Sequence, residues 1–281
     1  MTKYKLSIIV LLLFNARCFA QALIDTKQEN FAFEVKQIDE FIDRFNDTKG
    51  NLAEKHWQQQ HPNQDISRAD NLKSVFNLQK PTWTSEQFNA FVNEMADPQK
   101  PHYISFYDKE WYAELQCQFT YKGKTQKATL ILENQVFPGL KSKWVVMSVK
   151  APFLPSTCGD NKVPRSTDPT QCLNPMVHGT DFMGLRRAFE NKKHLSNYFC
   201  HDCYAHNLLE SFAYELYNGN LKLVQVDKIT YHFVELKNWI FTVEQFRRDS
   251  PNSGWLISSL IPTNEQQKNG YKANKLMLLG E

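Results

Sequence analysis

The chain has 281 residues, of which 42% are hydrophobic and 22% are charged, a composition typical of a folded globular protein. This length is near the size at which one hydrophobic core tends to divide, so two domains of ordinary size are expected. The formal net charge of +3 at pH 7 gives no electrostatic indication of nucleic-acid binding, and we expect no nucleic-acid partner.

Residues 1–20 have the features of an export signal. Lys3 and Lys5 form a basic start, a run of about nine apolar residues follows, and a small-residue stretch ends at Ala20. The apolar run is too short to span a bilayer, which needs about 20 residues. We therefore expect cleavage after Ala20 or Ala22 and no transmembrane helix in the mature chain. Cleavage removes three basic and no acidic residues, so the mature chain is expected to be neutral.

The pattern of residues 28–151 changes from helical to extended. Apolar residues at steps of three and four predict a helix over 31–47, and shorter patterns predict helices near 72–78 and from Thr84 onward. The apolar period then shortens to two, which predicts a hairpin of two strands and a third strand led by Trp144. This segment is expected to form a first α+β domain.

The same order recurs after a proline-rich segment. Residues 152–179 contain five prolines and little apolar periodicity, which predicts a linker. Helical patterns and then three strand-like runs follow in residues 180–263, and the last strand is led by Trp255. This segment is expected to form a second α+β domain, and residues 264–281 are expected to form a C-terminal tail.

Two similar halves, each with helices before strands, predict the α+β class with two tandem domains, in which N-terminal helices pack on a curved antiparallel sheet. This order resembles the nuclear-transport-factor-two-like, or cystatin-like, fold, which implies a cone-shaped pocket under each helical cap. The Cys-Phe-Ala-Gln end of the leader is similar to that of exported Gram-negative proteins of uncharacterised function with tandem domains. The resemblance implies a periplasmic, secreted or cell-surface location.

The cysteine pattern predicts disulfides. Five of the six cysteines remain after cleavage of the leader, and export to an oxidising compartment favours their pairing. Cys158 and Cys172 bracket part of the linker, and a disulfide between them would contribute about 3 kcal/mol by closing a loop of about 15 residues. Cys117 lies on the apolar side of its strand, so we interpret it as a small buried hydrophobic residue.

Cys200 and Cys203 form a Cys-x-x-Cys motif with three possible chemistries. A structural disulfide is the favoured interpretation in an exported protein. Redox catalysis is one alternative, although no strand precedes the motif as a thioredoxin-like context would require. Zinc binding is another, with His206 and His194 as further ligands, but their spacing is not that of a zinc finger. No metal site is therefore predicted.

The function is expected to be binding. Phosphate-cradling, zinc-protease and serine-hydrolase motifs are absent from the sequence, and no cofactor or catalytic residue is predicted. The favoured hypothesis is a non-enzymatic protein that binds a small molecule or a protein partner through pocket-type domains. Aromatic residues could either stack on such a ligand or fill the cores, which is the commoner case. These residues are Tyr103, Tyr107, Trp111, Tyr112, Tyr231 and Trp239.

Two alternatives to a binding function stay open. One is a pocket enzyme of the isomerase or dehydratase type, which would use polar groups on strands, and the other is a structural protein with plugged pockets. Strand acids of this kind more often form a solvated face, so a non-enzymatic role is favoured. The candidate polar groups are Glu114, Asp227, Tyr231, His232, Glu235 and Glu244.

Overall fold

The structure of the chain is a computed structural model, which describes residues 37–278 apart from several gaps. The predicted leader, residues 1–20, lies outside this range. Within the described residues, seven α-helices and one six-stranded antiparallel sheet confirm the α+β class. None of these helices is both long enough and apolar enough to cross a membrane. The gaps are residues 63, 80, 139–140, 156–162, 167, 169, 174–181, 204–207 and 250–251.

The chain divides into two compact units. Among the described residues, the first comprises 37–78 with 246–256, and it contains helices α1 (Ile38–Phe45), α2 (Leu52–Gln60) and α3 (Arg68–Ser74). Helix α2 has no apolar stripe, which is why periodicity did not predict it; its start is capped by a side chain that accepts a backbone hydrogen bond. The fully buried apolar residues of its helical part are Phe41, Phe45, Leu72, Val75 and Phe76.

The second unit comprises residues 79–245 with 257–281. It contains most of the sheet and the remaining helices, and strand β6 begins in the first unit and continues in this one. The elements are α4 (Ser85–Met95), β1 (Trp111–Tyr121), β2 (Lys124–Phe137), β3 (Lys141–Lys150), α5 (Met183–Glu190), a 3₁₀ helix (Leu195–Tyr198), α6 (Leu209–Asn218), β4 (Leu221–Phe233), β5 (Trp239–Phe246), β6 (Gly254–Pro262) and α7 (Glu265–Asn274).

The strands lie in the order β3-β2-β1-β4-β5-β6. Strand β1 pairs with β2 on one side and with β4 on the other, in a register that runs from Trp111 opposite Phe233 to Tyr121 opposite Leu221. Three strands from each half of the sequence therefore join in one sheet, and their order is symmetric about the β1–β4 pair. The structure does not confirm two tandem domains at 28–151 and 180–263.

One face of the sheet, here called the apolar face, packs against helices through aromatic side chains. Phe119 of β1 meets Phe212 of α6 edge to face, with ring centroids 5.3 Å apart. Trp111 stacks on Phe233 of β4 at 5.4 Å. Phe91 of α4 meets Trp239 and Phe241 of β5 edge to face. Such ring pairs add to the stabilisation that comes from burying their area, so this face forms the core of the second unit.

Helix α7 lies within residues 264–281, which were predicted to form a tail. Its start is a capping box: the Asn264 side chain accepts from the Gln267 backbone at 2.9 Å, and the Gln267 side chain accepts from the Asn264 backbone at 3.0 Å. Leu276, just beyond the helix, is fully buried. Residues 265–274 of the predicted tail therefore form a helix. Leu276 packs with Tyr112, Ile131, Val234 and Ile240 of the sheet.

Part of the predicted linker, 152–179, is held to the edge of the sheet. The Trp144 backbone of β3 donates to the carbonyl of Leu173 at 2.9 Å. The Ser166 backbone donates to Ser196 Oγ at 2.7 Å, and Asn197 Nδ2 donates to the carbonyl of Asp168 at 2.6 Å. These hydrogen bonds attach the described part of the segment to β3 and to the 3₁₀ helix.

Candidate functional site

The other face of the sheet, here called the polar face, carries alternate side chains of β1 that are mostly hydrophilic. Successive side chains on one side of a strand point to the same face, so residues opposite each other in the register form rows across the sheet. Helix α7 covers one end of this face. The rows are Glu114 with Ile131 and Thr230, Gln116 with Thr129 and Lys228, and Gln118 with Lys127 and Gln225.

Four side chains meet beneath α7 and form what we call the buried cluster: Glu114, His232, Tyr271 and Lys275. His232 Nδ1 lies 2.7 Å from Tyr271 Oη, and its Nε2 lies 3.2 Å from Glu114 Oε2. Lys275 Nζ lies 2.8 Å from the same carboxylate oxygen. The two contacts to Glu114 are at ion-pair distance but lack regular hydrogen-bond geometry. The cluster therefore joins strands β1 and β4 to the segment at the end of α7.

The protonation states in the buried cluster follow from burial and charge. Burial and the nearby charge of Glu114 raise the pKa of the Tyr271 hydroxyl, so Tyr271 donates and His232 Nδ1 accepts. Burial also lowers the pKa of His232, which favours the neutral ring with its proton on Nε2, facing Glu114. Burial acts to raise the pKa of Glu114, but His232 and Lys275 outweigh burial and lower it to about 2.

The cluster has the groups of an acid–base site but little access to solvent. The side chain of His232 is 1% exposed and that of Glu114 is 9% exposed. Tyr271 and Lys275 of the covering segment contact His232 and Glu114. Ser148 Oγ also donates to the carbonyl of Leu276 at 2.9 Å, and these contacts hold the segment in place. As folded, the cluster fastens α7 to the sheet.

Replacing Tyr271 with phenylalanine is expected to lower the free energy of unfolding by about 1–2 kcal/mol, because it leaves His232 Nδ1 buried without a donor. Urea denaturation followed by circular dichroism would measure the change. Tyr103 is 57% exposed, so Tyr103→Phe is the matched control and should change stability by less than about 0.5 kcal/mol. Equal effects of the two variants would contradict the role given to Tyr271.

Beyond α7 the polar face opens into a cleft of about 250 Å³. A bulge in β4 borders it: Cys117 pairs with Val226 and Gln116 with Lys228, so Asp227 is an extra residue between them. Bulges interrupt the ladder and redirect side chains. The cleft is lined by Gln116, Cys117, Lys127, Ala128, Thr129, Lys150, Pro152 and Asp227.

The carboxylate of Asp227, the acidic group of the cleft, already accepts hydrogen bonds from neighbouring side chains. Gln118 Nε2 donates to both carboxylate oxygens of Asp227 at 2.9 Å, and Gln225 Nε2 donates to Oδ1 at 2.6 Å. These amides lower the pKa of Asp227. Burial and Asp227 raise the pKa of the Cys117 thiol, so Cys117 lacks the thiolate that nucleophilic chemistry needs. Its predicted burial is confirmed.

The polar candidates named from the sequence separate into different places. Glu114 and His232 meet in the buried cluster, whereas Asp227 lines the cleft. Tyr231 lies on the apolar face and packs against Trp111. The remaining two are Glu235, which is exposed, and Glu244, which accepts from Thr230 Oγ1 at 3.1 Å and pairs with Lys228 at 2.9 Å.

Most of the aromatic candidates fill the core. Trp111, Tyr112, Tyr231 and Trp239 are buried, which confirms the core interpretation for them, whereas Tyr103 is exposed. Tyr107, the sixth, is partly buried. Trp111 and Tyr112 are neighbours on one strand and therefore point to opposite faces. The six rings do not form one stacking surface.

Tyr271 and Lys275 were missed because they lie in the segment predicted to be a tail. The signal that could have found the helix is Asn264 followed three residues later by Gln267, the spacing of a capping box. Gly270 inside the helix and the lack of an apolar stripe concealed it.

The predicted disulfides have different outcomes. Cys200 and Cys203 are joined, with sulfurs 2.03 Å apart, so in this state neither is available as a zinc thiolate. Cys172 is exposed, and Cys158 lies outside the described residues, so their pairing stays a prediction. His206 also lies outside them. Among the residues that are described, no three His, Cys, Asp or Glu side chains are grouped as metal ligands would be.

Comparisons with protein families, with curated proteins and with solved structures find no match to this chain. The resemblance to the nuclear-transport-factor-two-like fold therefore stays a prediction. Function has to be argued from the geometry of the polar face.

Proposed function

We propose that the chain is a non-enzymatic binding protein, and that it holds a small polar ligand with a negatively charged group in the cleft of the polar face. The observation that carries the proposal is a row of donors across three neighbouring strands: the Lys150 ammonium, the Thr129 hydroxyl and the Gln116 amide. Neighbouring strands lie about 5 Å apart, so the row spans about 10 Å. A carboxylate, sulfate or phosphate group with adjoining hydroxyls matches such a row.

Lys150 is the residue best placed to hold the ligand's charge. Within the described part of the chain it has no acidic side chain within ion-pair distance, whereas Lys228 on the same row pairs with Glu244 at 2.9 Å. Asp227, whose carboxylate accepts hydrogen bonds from Gln118 and Gln225, lies at the other border of the cleft. An anionic group is therefore favoured near Lys150 and disfavoured near Asp227.

An enzyme needs acid–base groups in a cleft that its substrate can enter. Binding is favoured over catalysis because the cleft and the acid–base groups lie in different places here. The open cleft offers a hydrogen-bonded carboxylate, and the thiol of Cys117 at its wall is buried and has a raised pKa, so neither group is suited to proton transfer near pH 7. The groups with acid–base character, Glu114 and His232, lie under α7 and away from solvent.

Replacing Lys150 with alanine is expected to weaken the binding of simple anions about tenfold, because the charged hydrogen bond that it donates is lost. Acetate, sulfate and phosphate, titrated one at a time and followed by amide shifts in NMR spectra, are suitable probes. Shifts should centre on Gln116, Thr129 and Lys150.

The matched control is Lys222→Ala, which removes an exposed lysine from β4 outside the cleft lining. It should leave the affinity within a factor of two, as expected for a distant screened charge. Shifts spread over the whole surface, or equal losses in the two variants, would overturn the proposal.

The buried cluster favours a second candidate, a pocket enzyme of the isomerase or dehydratase type. In it His232 would act as the base after α7 leaves the sheet, with Glu114 orienting the ring. An imidazole-acylating reagent tests this candidate, since His232 must become accessible in the folded protein. Complete protection of His232 while exposed histidines react would count against it.

The leader pattern supports an exported location, and we propose that the mature chain acts in the periplasm or at the cell surface. The two sequence halves, each with helices before three strands, support an origin by duplication in which both copies now share one sheet. A third possibility, a structural role with a plugged face, is supported by the covering helix α7.

A further inference from the structure

The Cys200–Cys203 disulfide lies where its opening would not release the surrounding fold. Phe199, next to it, is buried and stacks on Phe189 with ring centroids 5.9 Å apart. The Cys200 backbone donates to the carbonyl of Val146 on β3 at 3.0 Å. These contacts hold the segment to the sheet independently of the sulfur–sulfur bond.

The disulfide also contributes little to the stability of the fold. It closes a loop with a sequence separation of only 3, and the loop-closure gain of a disulfide falls as the loop shortens. Both cysteines are partly exposed, so a thiol from another molecule can approach. A partly exposed disulfide that the fold does not need is of the kind open to exchange.

Two cations, Arg165 and Lys143, and one anion, Asp202, are close enough to the residue between the two cysteines to shift its pKa. His201 lies between the two cysteines, and burial together with the charges of Arg165 and Lys143 lowers its pKa, against the opposing charge of Asp202. Nearby cations stabilise a thiolate relative to a thiol, which makes a cysteine a better leaving group in disulfide exchange.

We infer that Cys200 and Cys203 form an exchange-active disulfide, which accepts electrons from a dithiol of another protein. The inference rests on the edge position, the short loop and the two neighbouring cations, and it is independent of the anion cleft.

The exchange proceeds in two balanced steps. A client thiolate attacks one sulfur of the pair; the Cys200–Cys203 bond breaks, a mixed disulfide forms, and the other cysteine leaves as a thiolate. The second client thiolate then attacks the client sulfur of the mixed disulfide and releases the remaining cysteine. The client gains one disulfide and loses two electrons, and this protein gains two electrons and two thiols.

The test uses the folded, oxidised full chain and a synthetic peptide with two cysteines that can close into an internal disulfide. Alkylation followed by peptide mass mapping measures the oxidised peptide and the thiols of Cys200 and Cys203 together. We expect one equivalent of peptide to be oxidised, both cysteines to become alkylatable, and the circular dichroism spectrum to stay unchanged. Cys172→Ser should behave like the parent chain.

Replacing both Arg165 and Lys143 with alanine should lower the equilibrium constant for peptide oxidation about 3–10-fold, because two cations that favour the thiolate are lost. The charge-matched control, Lys222→Ala with Lys237→Ala, should leave it unchanged. The inference is overturned if the cysteines react only when the fold is lost, if Cys172→Ser abolishes oxidation, or if the two double variants behave alike.

Discussion

Replacing Glu114 with glutamine is expected to lower the free energy of unfolding by about 3 kcal/mol, the largest effect of any single substitution proposed for the polar face. The carboxylate is the charge on which His232 and Lys275 converge, at 3.2 and 2.8 Å. A neutral amide removes the partner of Lys275 and places a group of mixed donor and acceptor character against His232. The ring of His232, which is 1% exposed, stays desolvated when its charged partner is removed, and this adds to the cost, whereas Lys275 is 50% exposed and its lost ion pair costs less.

Urea denaturation at pH 7 would measure this change, with Glu265→Gln as the control. Glu265 pairs with Lys268 at 3.3 Å on the same helix, but its side chain is 78% exposed. Loss of such a surface pair costs about 0–1 kcal/mol. If the two variants lose equal stability, the buried cluster is an ordinary surface contact and does not fasten α7 to the sheet.

The position of α7 links stability to function on the polar face. Tyr271 contacts His232 of β4, and Lys275 pairs with Glu114 of β1. Lys272 pairs at 2.7 Å with Glu110, the residue before β1. The helix covers the acid–base groups and leaves the row of Lys150, Thr129 and Gln116 open. Helix α7 thus covers one end of the polar face, and the other end carries the cleft in which we propose that a ligand binds.

Local patterns predicted the elements well where one face is buried. The alternation along β1 and the predicted hairpin are confirmed, with the turn at Lys122 and Gly123, and so is the helix predicted from Thr84 onward, which Thr84 caps. Each of these signals is carried by neighbouring residues, so the sequence alone is sufficient to find them.

The candidate site could not be predicted because it depends on long-range pairing. Glu114 and His232 are brought together by the β1–β4 register, which joins the two halves that were expected to fold apart. The bulge at Asp227 cannot be predicted from the residues around it either, because it is defined by the pairing of β4 with its partner strand. Residue types on strands identified Glu114, His232 and Asp227 as candidates but gave no indication of which of them meet.

Acid is expected to destabilise the protein in two steps, both of which follow from the buried cluster. The first comes from His232, whose pKa burial lowers below the ordinary value of 6.5. The groups that face it are Glu114 on β1, Glu244 on β5, and Tyr271 and Lys275 at the end of α7. Below pH 6.5 His232 binds a proton in the unfolded chain but not in the folded chain. Stability therefore falls as the pH falls, until His232 is protonated in the folded protein as well.

The second step comes from Glu114, whose pKa is lowered from 4.5 to about 2 in the folded protein. Between these values the unfolded chain again binds more protons, so a further loss of about 3 kcal/mol is expected as the pH falls from 4.5 toward 2. Urea denaturation at intervals from pH 7 to 2 measures both steps. Glu114→Gln should flatten the second step, because glutamine does not titrate, whereas Glu265→Gln should leave it in place. An unchanged slope below pH 4.5 in Glu114→Gln would show that other carboxylates cause the acid sensitivity and that the Glu114 charge does not fasten α7 to the sheet.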